Sequence, residues 1–201
     1  MNANQCVLTN VRLSYVHLTK PFSNDPQQAP KYSTTILIPK SSSNKAAIDA
    51  AIAVATNTGK TGKWNGVVPP VLNNPVHDGD GVKSDGTPYG PECAGHWVLN
   101  ASSGAETPIE IVDRNMVKIM DATQIYSGIY ANVCVTFYPY LYNGKKGIGC
   151  GLGPVQKVSD GEPLGGSAPT AASCFAALGD EGGFSAMGTE VKINPITGKP
   201  M

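Results

Sequence analysis

Residues 130–157 read YANVCVTFYPYLY, then NG, then KKGIGCGLGPVQK. Two β-rich runs flank Asn143-Gly144, and Asn-Gly is the strongest short hairpin signal because a type I′ turn needs φ > 0 at both central residues. That turn pairs Val135 with Leu152, Phe137 with Cys150 and Pro139 with Ile148 on one apolar face, which is expected to be core. Side chains alternate along a strand, so Tyr138, Tyr140 and Tyr142 share the other face, opposite Gly149, Gly147 and Lys145. Rings in a row can stack on bases, and Lys145 and Lys146 at the tip can meet phosphates. The same row would equally serve as a packed aromatic face under a loop or against another subunit.

Working outward, Cys6–Tyr15 alternates and reads as a strand with Arg12 on its polar face. Residues 20–30 hold three prolines and read as a loop. Lys31–Pro39 is a second strand, stopped by Pro39. A helix follows, with Ser43 or Asn44 as N-cap, Ile48, Ala51, Ile52 and Ala55 at helical spacing, and Asn57 or Gly59 as terminator. Residues 60–95, rich in Gly, Pro, Asn and Asp, are too long for a plain connector and form an excursion. His96–Ala101 is a third strand, Glu110–Val112 a short one, and Asp121–Gly128 a bend before the hairpin. Short strands, one helix and a long final hairpin predict a mainly β chain, an OB-fold-like five-stranded Greek-key barrel. A β-sandwich shares much of this pattern. The expected division is a barrel domain over 1–160 and a Gly/Pro/Ala-rich, mildly acidic, flexible tail over 161–201.

The chain has 201 residues and no net charge, but residues 1–157 carry 13 Lys/Arg against 10 Asp/Glu, and residues 158–201 carry 2 Lys against 5 Asp/Glu. A basic body with an acidic tail fits a nucleic-acid binder. No apolar run reaches the ~18 residues of a membrane span, and the N-terminus lacks signal-peptide character. The five scattered cysteines read as reduced thiols, so a cytoplasmic location is expected.

Other motifs resolve to plain readings. Gly59-Lys60-Thr61 has Val54 where a phosphate loop needs glycine, and it follows a helix instead of opening one. Cys93 and His96 have C-x-x-H spacing without a second pair to complete a zinc site. His77, Asp78 and Asp80 lack calcium-loop spacing. No nucleophile–base signature appears, so neither enzyme, cofactor nor metal is expected. Trp97, beside Leu99, is expected in the core. Trp64 sits between Lys60, Lys63 and Asn65, where it either stacks on a base or pins its loop.

The segments VRLSYVHL (11–18), KYSTTILIPK (31–40), AGHWVLNASS (94–103), IYSGIY (125–130) and KKGIGCGLGPVQKVSDGEPLGG (145–166) come in this order. Together they resemble a bacteriophage single-stranded DNA-binding protein family, over roughly residues 5–166. The resemblance implies an OB-fold and sequence-independent binding of single-stranded DNA in phage replication or recombination. The chain ends KINPITGKPM, without the acidic, aromatic tip of many replication-type binders; its acidic-aromatic cluster, Asp180–Phe184, lies inside the tail.

From strand geometry, Tyr138, Tyr140 and Tyr142 are expected to stack bases, and Lys145, Lys146, Arg12, Lys31 and Lys157 to neutralise phosphates. Tyr32 and Trp64 are lesser stacking candidates. Expected partners are single-stranded DNA, replication or recombination proteins through the tail, and further copies of the chain, with no membrane. The alternative reading is a phage structural or assembly β-protein whose tyrosine face is a subunit interface.

Overall fold

The final hairpin forms as its turn dictates. In the computed structural model, which describes residues 1–165, Asn143 and Gly144 have φ of 47° and 74°. They join two strands, Tyr130–Tyr142 and Lys145–Ser159, designated β6 and β7. Val135 opposes Leu152, Phe137 opposes Cys150 and Tyr138 opposes Gly149, and Phe137 is fully buried. Past Val135 the register shifts by a bulge, so that Val133 opposes Val155.

The remaining elements are β1 (Gln5–Phe22), β2 (Lys31–Pro39), α1 (Asn44–Thr61), β3 (Val76–Asp78), β4 (His96–Gly104) and β5 (Ile111–Val112). Antiparallel pairing runs β4-β2-β1-β6-β7, and a parallel bridge between Ser102 and Gly151 returns β7 to β4. Five strands thus close on themselves, which leaves the barrel wall without a free edge. Short β3 borders β4, and β5 borders β7. This is the mainly β, OB-type barrel expected from the strand pattern. The expected tail beyond residue 165, with Cys174 and Asp180–Phe184, lies outside the described residues.

β1 is longer than its alternation predicts, because three register shifts break that alternation, the last of them between His17 and Phe22. Its first half pairs with β6 and its second with β2. Register shifts fall between Leu8 and Val11 and between Ser14 and His17, where Asn10 and Tyr15 have φ of 50° and 47°. A bulge inserts one residue and re-aims the side chains beyond it. Leu8, Val11, Leu13 and Leu18 are therefore all buried although they occupy different phases of the alternation. Tyr15, in phase with Val11 and Leu13, is instead 68% exposed.

α1 closes one end of the barrel through Ile48, Ala51 and Ala55, and runs on to Thr61, past Asn57 and Gly59. Neither expected cap works as one. Ser43 makes no side-chain bond, and buried Asn44 turns to β1. There its Oδ1 accepts from Thr9 N at 3.0 Å and its Nδ2 donates to Thr9 O at 2.9 Å. The helix start is thereby fastened to the first bulge. After β7, Glu162 O accepts from Arg12 and Leu164 N donates to Ser127 O, so residues 161–164 stay on the barrel. None of the described helices is long and apolar enough to cross a membrane.

Candidate nucleic-acid interface

The outer face of β2 and β4 is small and polar. Ser33 opposes Ser102 and Thr35 opposes Asn100, with Thr35 Oγ1 bonded to Asn100 Oδ1 at 2.7 Å. Short side chains here leave a recess of about 410 Å³, walled by Tyr15, His17 and Phe22 from β1. The His17 and Phe22 rings stack at 4.4 Å, 12° from parallel, and Phe22 is 47% exposed. Tyr15 owes its place to the second bulge, and bulges next to functional surfaces commonly re-aim a side chain in this way.

Tyr15, Thr35 and Asn100 also line a second recess of about 780 Å³, shared with His77, Lys83, Tyr89 and Glu92. Its outer wall is the loop 82–90, folded on itself by a Val82–Pro88 bridge and by Lys83 N donating to Thr87 O. The Lys83 ammonium lies 5.8 Å from the Tyr89 ring centre. His77 in turn lines a third recess of about 830 Å³, which ends at Gly144, Lys145 and Lys146 on the hairpin tip. The first and second recesses share Tyr15, Thr35 and Asn100, and the second and third meet at His77, so the three lie in sequence as a channel-like course from the β1–β2 loop to the β6–β7 turn. On an OB barrel that course, across the central strands between these two loops, is where oligonucleotides bind.

The ten residues singled out from the sequence divide sharply. Lys31 is exposed and opposes Phe22 at one end of the channel; Lys145 is exposed at the other. Tyr138 and Tyr142 are exposed beside the tip. Their row does not overlie an open glycine floor: a Cβ on Gly149 would lie 2.6 Å from the Tyr138 ring, and one on Gly147 2.5 Å from the Tyr140 ring. The close approach that the glycines permit is by the tyrosine rings themselves, one face of each resting on the neighbouring strand. Tyr140 is half-buried, and its hydroxyl accepts from Asn73 Nδ2.

The other five make contacts that the sequence does not show. Trp64 is fully buried against Gly59, with Nε1 donating to Tyr140 O at 2.9 Å, so its ring has no face for a base. Tyr32 is buried too, on the side of β2 facing Leu18 and Ile111. Lys146 Nζ donates to Trp64 O and Val67 O at 3.0 and 3.1 Å, pinning the turn after α1. Lys157 pairs with Asp160 at 2.7 Å. Arg12 Nη2 donates to Glu162 O at 2.8 Å, and its guanidinium lies over Tyr130. Neither of the last two lines the channel. Sequence reasoning missed Tyr15, His17, Phe22, Lys83 and Tyr89. The available signal was the small polar outer face shared by Ser33, Thr35, Asn100 and Ser102.

Other groups are structural. Lys40 pairs with Asp78 and Asp80, which raises its own pKa and holds both carboxyls below their ordinary value. Trp97 packs against the core with the Lys40 and Lys45 ammonium groups over its ring. Cys93 is buried, and His96 Nδ1 contacts Ala94 O. Burial, with Cys134 nearby, pushes the Cys6 thiol up to about 11. Among the described residues the cysteines are free.

Residues 4–185 match the family described as Enterobacter phage Enc34, ssDNA-binding protein. The chain belongs to this family. Protein p50 of Acyrthosiphon pisum secondary endosymbiont phage 1 is 33% identical over 79% of this chain and 85% of its own. Among solved structures, the single-stranded DNA-binding protein of bacteriophage Enc34 in complex with ssDNA is similar with a TM-score of 0.68. That match has 29% identity and covers 82% of this chain and 91% of the other. The bacteriophage T7 protein gp2.5, a single-stranded DNA-binding protein, has a TM-score of 0.57 at 16% identity. It covers 90% of this chain and 98% of its own, a likeness of fold.

Proposed function

We propose that this protein coats single-stranded DNA without sequence readout and without catalysis, in phage DNA replication or recombination. The observation that carries the reading is the channel: exposed Tyr15 and the Phe22–His17 stack over a polar floor, with Lys31, Lys83 and Lys145 along it. Family membership and the DNA-bound relative support the ligand class. Bases stack on the rings, because every base has a π-face, and ammonium groups follow the phosphates. Tyr138 and Tyr142 extend the stacking surface beyond the tip at Lys145. Residues 1–160 provide the binding domain, and residues 161–201 serve as a segment for replication or recombination partners.

The test is titration of fluorescent oligo-dT across salt with wild type and Tyr15→Ala. Log affinity falls with log salt at about −0.7 per neutralised phosphate. Tyr15→Ala loses about 1–3 kcal/mol of binding with an unchanged melting temperature, because the ring is exposed. A flat salt profile, tighter binding to duplex, or full affinity in Tyr15→Ala would overturn the reading.

A further inference from the structure

Glu92 is out of place on a surface that binds a polyanion. It is the one carboxylate among the residues lining the three neighbouring recesses; it is in no ion pair among the described residues, and its Oε1 accepts only from the Cys93 thiol, a weak donor, at 3.8 Å. It shares the second recess with Tyr15, and both also line a smaller cleft beside Ser127. Its carboxylate is folded back over Gly90. A Cβ built there would meet Oε2 at 2.3 Å and Oε1 at 2.4 Å, so glycine at 90 leaves the room that the carboxylate occupies. Gly90 has φ of −66°, which any residue adopts, so the backbone itself makes no demand for glycine there.

A carboxylate repels phosphate but accepts hydrogen bonds from base donors, and charge-assisted bonds are the strong ones. In single strands the Watson–Crick edges are free to be read. Cytosine and adenine offer one amino group on that edge, and thymine offers one ring N–H. Guanine alone offers N1–H and N2–H side by side, a two-point match to two carboxylate oxygens. We propose that the recess beneath the 82–90 loop is a guanine-preferring subsite, with Tyr15 stacking the base and Glu92 receiving its N1–H and N2–H. The proposal rests on the DNA-binding reading above and makes this one recess the exception to its lack of sequence readout.

The experiment compares equal-length d(GT), d(IT) and d(CT) repeats and oligo-dT at one salt concentration. Inosine keeps guanine's stacking surface but lacks the N2 amino group. The alternating repeat lets a shift of one nucleotide bring guanine into the recess. Wild type is expected to bind d(GT) about fivefold tighter than d(IT), at the lower end of what a two-point base contact discriminates. In Glu92→Ala the d(GT)/d(IT) ratio falls to about one while oligo-dT binds more tightly, since a negative charge has left the channel. Gly90→Ala keeps the charge but displaces the carboxylate, so it also loses the ratio, without the gain on oligo-dT. Equal d(GT) and d(IT) affinity in the wild type, or a ratio that survives in folded Glu92→Ala, overturns the proposal. Failure to bind oligo-dT at all overturns the DNA-binding reading instead.

Discussion

Replacing Trp64 by alanine separates a core anchor from a base-stacking ring. The indole is fully buried. Gly59 lies so close that a Cβ there would meet the ring at 2.8 Å, and Nε1 donates to Tyr140 O at 2.9 Å. Truncating a buried tryptophan leaves a cavity and costs about 3–5 kcal/mol. The orphaned Tyr140 carbonyl adds about 1 kcal/mol or more where water cannot reach it. At about 2–4 °C per kcal/mol for a domain of this size, the total of about 4–6 kcal/mol lowers the melting temperature by roughly 8–24 °C. Trp64→Phe keeps most of the apolar volume and loses the hydrogen bond, so it sits between wild type and Trp64→Ala. The assay is a thermal melt of the three proteins, paired with oligo-dT titration well below each transition. Binding is expected to survive in the folded fraction. An unchanged melt with weakened binding would show that the ring is exposed and contacts bases, refuting the core assignment.

Gly147→Ala should force the Tyr140 ring off β7 and break its bond from Asn73, costing about 1 kcal/mol; a melt equal to wild type's would show that the ring is not held there. The Lys40 pair with Asp78 and Asp80 gives an acid-limited contribution. Both carboxyls lie below their ordinary 3.8 when folded, so their stabilisation is complete above that pH and lost as pH falls below it. Melts of wild type and Lys40→Met should therefore differ near neutral pH and converge in acid, once pH has fallen through the lowered values of both carboxyls. A difference that persists or grows in acid would contradict this.

The hairpin was legible because one dipeptide fixes its register and the period-2 pattern then assigns every residue to a face, from Val135 to Tyr142. Strand count and spacing suggested a barrel but left a sandwich open, and the family resemblance favoured the barrel. The channel proposed to bind DNA was not legible, for a local reason. Alternation in VRLSYVHL places Tyr15 in phase with Val11 and Leu13, and only the bulge turns it outward. Bulges leave no compositional mark when the residue at positive φ is tyrosine and not glycine. The contacts of the basic residues were not legible for a different reason. Lys146, Lys157 and Arg12 are committed to carbonyl or carboxylate partners that spacing cannot show. Trp64 had two readings, and burial beneath the hairpin decided for the loop-pinning one.

The bulge at Tyr15 has an evolutionary corollary. It decouples the chemistry of the channel from the packing of the barrel, since the residue there touches neither the core nor the ladder that holds β1 to β2. Residue type at position 15 answers to the ligand alone. Residue number does not: deleting position 15 would pull Val16 and Leu18 a half-step out of phase and turn β1's second half inside out. Lineages that bind single-stranded DNA with this barrel should therefore keep a stacking ring at this position for the ligand's sake, and conserve the length of the strand around it for the fold's.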